Sequence, residues 1–203
     1  MDEVCYDEKV GRALLVTARS CLINAASTLD DAALLVAKQR TDRGFALAIL
    51  AQEEFSKCFM LCNCAAQRRW DVEVYNALIH HEKKQALFEV MLSYVEWFQQ
   101  ANAFALSLNP TALIPAPISY MPDASEFQRW MDDANRKVVR KRNIDRAKQR
   151  ALYVSVSADG TVSSEPGCTS QEAEGEIGRA RSFQRVAKLQ LERVGGGNVG
   201  LHA

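Results

Sequence analysis

Arg43-Gly44-Phe45-Ala46-Leu47-Ala48-Ile49-Leu50-Ala51-Gln52-Glu53-Glu54-Phe55-Ser56-Lys57 decides the fold. Apolar residues recur through it every three to four positions, the repeat of a helix with one face turned to a core. Leu47, Leu50, Glu54, Cys58 and Leu61 fall on one stripe, which places Glu54 among apolar neighbours. A carboxylate in such a place must be paired, hydrogen-bonded or protonated. Lys57, one turn later, is its nearest helical partner. The next helical segment carries His80-His81-Glu82-Lys83-Lys84, and His81 and Lys84 line up there with Ala77, Phe88 and Met91. Two consecutive helices therefore each put charge where a plain bundle puts leucine.

Working outward, a first helix is expected over residues 7–38. Gly11, Leu15, Ala18, Leu22, Ala25, Leu29, Ala33 and Val36 form its stripe, with small residues that let a neighbour approach closely. Thr41-Asp42 marks a break with N-cap chemistry, and the second helix then runs to about Arg69. Asp71 can cap a third helix, expected to continue to about Phe104. Short connections between long helices imply antiparallel neighbours. Pro110, Pro115, Pro117 and Pro122 make the next stretch an extended crossover. Asp123-Ala124-Ser125-Glu126 has capping-box spacing and opens a fourth helix ending near Arg150. Leu152 to Val156 and Thr161 to Ser163 flank Asp159-Gly160, a hairpin signal. Thr169 to Glu172 repeats the capping box, and Gly195-Gly196-Gly197 stops the helix that follows near Arg193. The expected fold is all-α: an antiparallel helical bundle domain over residues 1–150, a small β-hairpin plus C-terminal helix over 151–194 packed on it, and a disordered tail over 195–203.

Composition fits one globular core. The chain has 203 residues, 48% hydrophobic and 25% charged, which excludes a disordered chain. Lys and Arg balance Asp and Glu at 25 each, so net charge selects no partner. The amino terminus is acidic and lacks a signal-peptide layout. No uninterrupted apolar run spans a bilayer, so the expected location is the cytoplasm, without membrane contact. Of six cysteines, Cys58, Cys62 and Cys64 invite a metal, but Cys64 points away from the other two and there is no paired C-x-x-C set. Free thiols are expected, and no cofactor.

Glu54, Lys57, His81 and Lys84 are the candidate catalytic residues: an acid, a proton-transfer group and two cations facing one another across two helices. The same four could instead form an ion-pair network that pins those helices. Lys57 stands where a bundle metal site needs histidine, so no metal is expected. Arg140, Arg142 and Arg146, within a basic run over residues 136–150, could track an RNA backbone or make a solvated face. Tyr153 and its hairpin need a partner surface, either the bundle itself or an edge in a dimer.

Glu53-Glu54-x-x-Lys57 on a second helix, His81-x-x-Lys84 on a third, then Arg150-Ala151-Leu152-Tyr153-Val154 before Asp159-Gly160 resembles the AbiV group of abortive-infection proteins. That group is a branch of the HEPN-like helical superfamily. The resemblance covers roughly residues 10–165. It implies a helical bundle, phage defence, ribonuclease activity and paired bundles in a homodimer. The usual ribonuclease signature, Arg followed after four to six residues by His, precedes none of His80, His81 and His202. No catalytic pair carries over by position. The expected function is a toxin-like, metal-independent ribonuclease in antiphage defence, set off by a phage-encoded protein. The alternative is a non-catalytic helical interaction or sensor module that binds a phage or host protein.

Overall fold

Asp7 opens the first helix. Its carboxylate accepts the Val10 N–H at 2.7 Å, and α1 runs over Glu8–Ala37 in this computed structural model. The structure describes residues 6–81, 83–85, 87–89, 148, 149, 152 and 168–196. Leu14, Ala18, Cys21, Leu22, Ala25, Leu29 and Ala32 turn inward from α1 at steps of three and four. The expected Leu15, Ala33 and Val36 sit at the margin of the core, half-buried. By length and mean hydropathy (1.3 over its most apolar window) α1 would reach across a bilayer, although Arg12, Arg19, Asp30 and Asp31 interrupt its apolar sequence. Its inward residues pack on other helices instead, which is compatible with a soluble bundle.

A tight turn through Gln39 (φ 59°) reverses the chain, and α2 follows over Thr41–Gln67. The expected cap is displaced. Arg40 is the N-cap and offers no side-chain bond, while the Asp42 carboxylate accepts the Cys168 N–H at 3.0 Å. The Tyr6 hydroxyl donates to the Ala65 carbonyl at 3.0 Å, and Gly44 meets Ala32 and Val36. The start of α1 thus lies beside the end of α2, and the two are antiparallel. At Gly44 the helices nearly touch. A Cβ there would lie 2.9 Å from the Ala32 carbonyl oxygen and 2.5 Å from Val36 Cγ2.

Asp71 caps α3 (Val72–Ile79), accepting the Val74 N–H at 2.9 Å. The third helix does not run on as expected. His80 is extended (φ −90°, ψ 120°). Its carbonyl then accepts the Lys84 N–H at 3.2 Å, and the chain is helical again at residues 81, 83–85 and 87–89. α4 (Ser170–Val194) begins with the expected capping box of Thr169 and Glu172 and is capped by Gly195. Three contacts fix its direction: Asp42 with Cys168, Gln52 with Glu176, and Asn63 with Gln190. Residue numbers rise together on both sides, so α4 is parallel to α2 and antiparallel to α1.

The core sits where these helices meet. Phe183 of α4 stands edge-on to Phe88, with ring centroids 5.1 Å apart, and 6.0 Å from Phe59 of α2. α2 is the central helix, enclosed nearly all round. No strand occurs among the described residues. The proline-rich crossover, the start of the fourth helix, the tail from residue 197 onward and all of the hairpin but Leu152 lie outside them. Leu152, expected in the first strand, is described and is helical.

Two substitutions test this packing. Leu29→Ala is expected to cost roughly 2–5 kcal/mol in urea denaturation. Gly44→Ala is expected to lower stability as well, because overpacking against a backbone carbonyl costs about 1–3 kcal/mol, against a helix-propensity gain of at most ~1 kcal/mol. A midpoint for Gly44→Ala at or above wild type would show that α1 can draw back freely.

Candidate active site around Glu53

The acid enclosed by the fold is Glu53, not Glu54. Glu53 is 2% exposed and shares its helix face with Ala46, Ile49 and Ser56, all wholly buried. These small or slender neighbours leave room for groups from other segments to reach it. Lys148 Nζ donates to Oε1 at 2.9 Å, and Gln85 Nε2 donates to the same oxygen at 2.9 Å. On the other side, His81 Nδ1 bonds Oε2, and Lys84 Nζ stands 3.6 Å from it. Burial alone pushes the Glu53 carboxyl up. The hydrogen bonds from Lys148, His81 and Gln85, with the charge of Lys148, outweigh that and hold it below the ordinary glutamate range.

Glu54 lies on the half-open edge of α2 with Leu47, Leu50 and Lys57, and so is not on the innermost stripe. It accepts from Lys57 Nζ at 2.6 Å. It also faces α1, where Cys21 sits. Burial and then the Glu54 charge push the Cys21 thiol up to about 11, with Lys57 and Lys84 opposing. The residues nominated from sequence therefore do gather in one region. His81 and Lys84 join Glu53, and Glu54 and Lys57 form an adjoining pair linked to them across Cys21. Of the two histidines, His81 faces the cluster, while His80 occupies the break in the chain. Arg140, Arg142 and Arg146 lie outside the described residues. Lys148, from the same basic run, is buried at the cluster rather than solvated.

Three members were missed from sequence: Glu53, Gln85 and Lys148. The signal for Glu53 was present in its flanking Ala46, Ile49 and Ser56. Nothing local marks Lys148, which meets Glu53 across 95 positions.

The geometry can move a proton. A carboxylate bonded at Nδ1 holds the neutral imidazole with its proton on that nitrogen and leaves the Nε2 lone pair free. The His81 side chain is 57% exposed, so its outer edge is open to solvent while its inner edge meets a buried anion. Among the described residues, no three His, Cys, Asp or Glu side chains gather as metal ligands. The described cysteines are free thiols, with Cys21, Cys58, Cys62 and Cys64 buried and Cys168 half-buried. Cys5 lies outside the described residues.

The family model for AbiV matches residues 13–185. The chain belongs to the AbiV family. Its place is with the HEPN-like proteins, and the match spans α2, the His81 segment, Lys148 and most of α4. AbiV membership points to abortive-infection defence. No curated protein and no solved structure matches the chain.

Glu53 gives this AbiV-family chain an acid-sensitive bond. Its folded-state pKa lies below that of the unfolded chain, so its contribution is complete above the ordinary glutamate value of about 4.3. That contribution is lost as pH falls through the lower folded value. Glu53→Gln takes the shared negative charge away from His81, Lys84 and Lys148 and is expected to cost roughly 3–5 kcal/mol at neutral pH. The gap to wild type should narrow on acidification. Denaturation midpoints that stay equally far apart from neutral to strongly acidic pH would mean that folding does not lower the Glu53 pKa.

Proposed function

We propose that the chain is a cytoplasmic antiphage protein acting as a toxin-like, metal-independent ribonuclease, with His81 as its proton-transfer group. The observation that carries this reading is the Glu53–His81 pair, a buried carboxylate backing a half-open imidazole. In the proposed step His81 Nε2 takes the proton of a ribose 2′-hydroxyl. The 2′-oxygen bonds to the adjacent phosphorus, the bond from phosphorus to the 5′-oxygen breaks, and that oxygen leaves as a hydroxyl with a proton from water. The products are a 2′,3′-cyclic phosphate and a 5′-hydroxyl end. Lys57 and Lys84 supply positive field for the charge that builds on the phosphorane oxygens. Arg140, Arg142 and Arg146 hold the RNA backbone. Lys148, from the same basic run, touches Glu53, which supports a role for that run at the site.

A second reading rests on the enclosure of Glu53, Lys84, Gln85 and Lys148. A fully paired network of this kind can pin helices in register without reacting, in an interaction or sensor module that binds a phage or host protein. The two readings part at His81→Gln. As an active-site group it should leave folding nearly intact and lower cleavage of total RNA by roughly 10²–10⁴-fold, with and without chelator. If the network is only structural, stability falls and any activity follows the folded fraction.

The proposed assembly is a symmetric homodimer, and a phage-encoded protein is the proposed trigger. Val16, Ile23 and Leu34 are exposed on α1 at spacings that keep them on one outward face. Two copies of that face can meet about a two-fold axis, the commonest closure for soluble homo-oligomers. Sedimentation at micromolar concentration should give a dimer mass, and Ile23→Asp should shift it to monomer. A monomer mass for the wild type across the accessible range rules the dimer out.

A further inference from the structure

We infer that Arg179 of α4 is a positioning residue for the Glu53–His81 pair, an inference that rests on the reading of that pair as the working site. The break at His80 is the reason. Because that residue is extended, α3 does not dictate where the following helical segment lies. The segment must be held by contacts of its own. On one side His81, Lys84 and Gln85 reach Glu53. At residues 88 and 89 the contact is with α4. Arg179 bonds the Glu89 carboxylate, and its guanidinium lies over the Phe88 ring, 5.6 Å from the centroid.

Arg179 is itself fixed. It bonds Glu176 Oε1 at 3.2 Å, and the other Glu176 oxygen accepts from Gln52 Nε2 at 2.7 Å. Gln52 also donates to the Glu176 carbonyl at 3.0 Å. Gln52 is the neighbour of Glu53 on α2, so the contacts close a ring. The ring runs from Glu53 to His81, along the segment to Glu89, across to Arg179 and Glu176, and back through Gln52 to the residue beside Glu53. His81 and Glu89 are eight residues apart, roughly 12 Å along a helix. A tilt of about 5° over that length moves one end by ~1 Å, the scale at which catalytic geometry is lost. Apolar contacts of Leu87 and Phe88 do not fix direction so closely, whereas a two-carboxylate grip on a planar guanidinium does.

The test uses the full-length protein and a signal independent of RNA cleavage. A histidine Nδ1 proton held by a buried carboxylate gives a far-downfield, slowly exchanging proton resonance. Loss of this resonance in both His81→Gln and Glu53→Gln assigns it. Arg179→Met is expected to reduce its intensity several-fold while far-ultraviolet circular dichroism stays at the wild-type level, and Arg179→Lys, which keeps the charge but not the planar fork, is expected to restore only a small part of it. Glu89→Gln, which leaves Arg179 its bond to Glu176, should act like Arg179→Met and decides the matter if that variant fails to fold. Full intensity in Arg179→Met, even with a lower melting temperature, would reduce Arg179 to a stabilising ion pair and overturn the inference. A wild-type spectrum with no resonance that responds to either His81→Gln or Glu53→Gln would mean that the pair itself does not form. That outcome removes the proposed site along with its positioning residue.

Discussion

One negative charge inside the bundle sets conditions that the other elements must meet. Stripping Glu53 of water costs several kcal/mol, and no single neighbour on α2 offsets it. The compensation comes from His81, Gln85 and Lys148, which are 28, 32 and 95 positions away in sequence. Apolar burial is non-directional and tolerates sliding. A carboxylate with several named donors does not. The hydrophobic contacts of α1, α2 and α4 bring the helices together, and the Glu53 cluster specifies how the His81 segment and Lys148 lie against α2.

What could be read from the sequence was local chemistry. Asp7, Asp71, the Thr169–Glu172 box and Gly195 act within one turn of a helix end, and each marks an observed boundary. The α1 stripe was legible because that helix has one buried face and one open one. α2 misled for the opposite reason. A helix enclosed nearly all round has no single stripe, so the run through Leu47, Leu50 and Glu54 traced its half-open edge instead of its centre. The break at His80 carries neither glycine nor proline to announce it. Lys148 looked solvated because its neighbours in sequence are basic, and only the tertiary fold shows the acid waiting for it.

The direction of α4 adds a demand that no local signal conveys. A helix parallel to α2 must be reached by a chain that returns to the starting end of the bundle before it begins. Closing α4 onto α2 joins residues more than 120 positions apart, as Gln52 and Glu176 show. Such contacts repay the entropy of loop closure only after most of the chain is ordered. The α1–α2 hairpin, joined by a short turn and a close approach at Gly44, needs no such wait.

The buried cysteines give the bundle a property apart from any chemistry at His81. Cys21 and Cys64 have thiols pushed up to about 11 by burial, and the Cys58 thiol is raised by its bond to Cys62 and by burial. At neutral pH such groups carry almost no thiolate, and reagents cannot reach them in the closed state. Alkylation must wait for the helices around them to part, so labelling rates count openings of the core. Cys21 faces the Glu54–Lys57 pair, and Cys64 lies near the far end of α2. Their separate rates distinguish breathing of the polar region from fraying at that end.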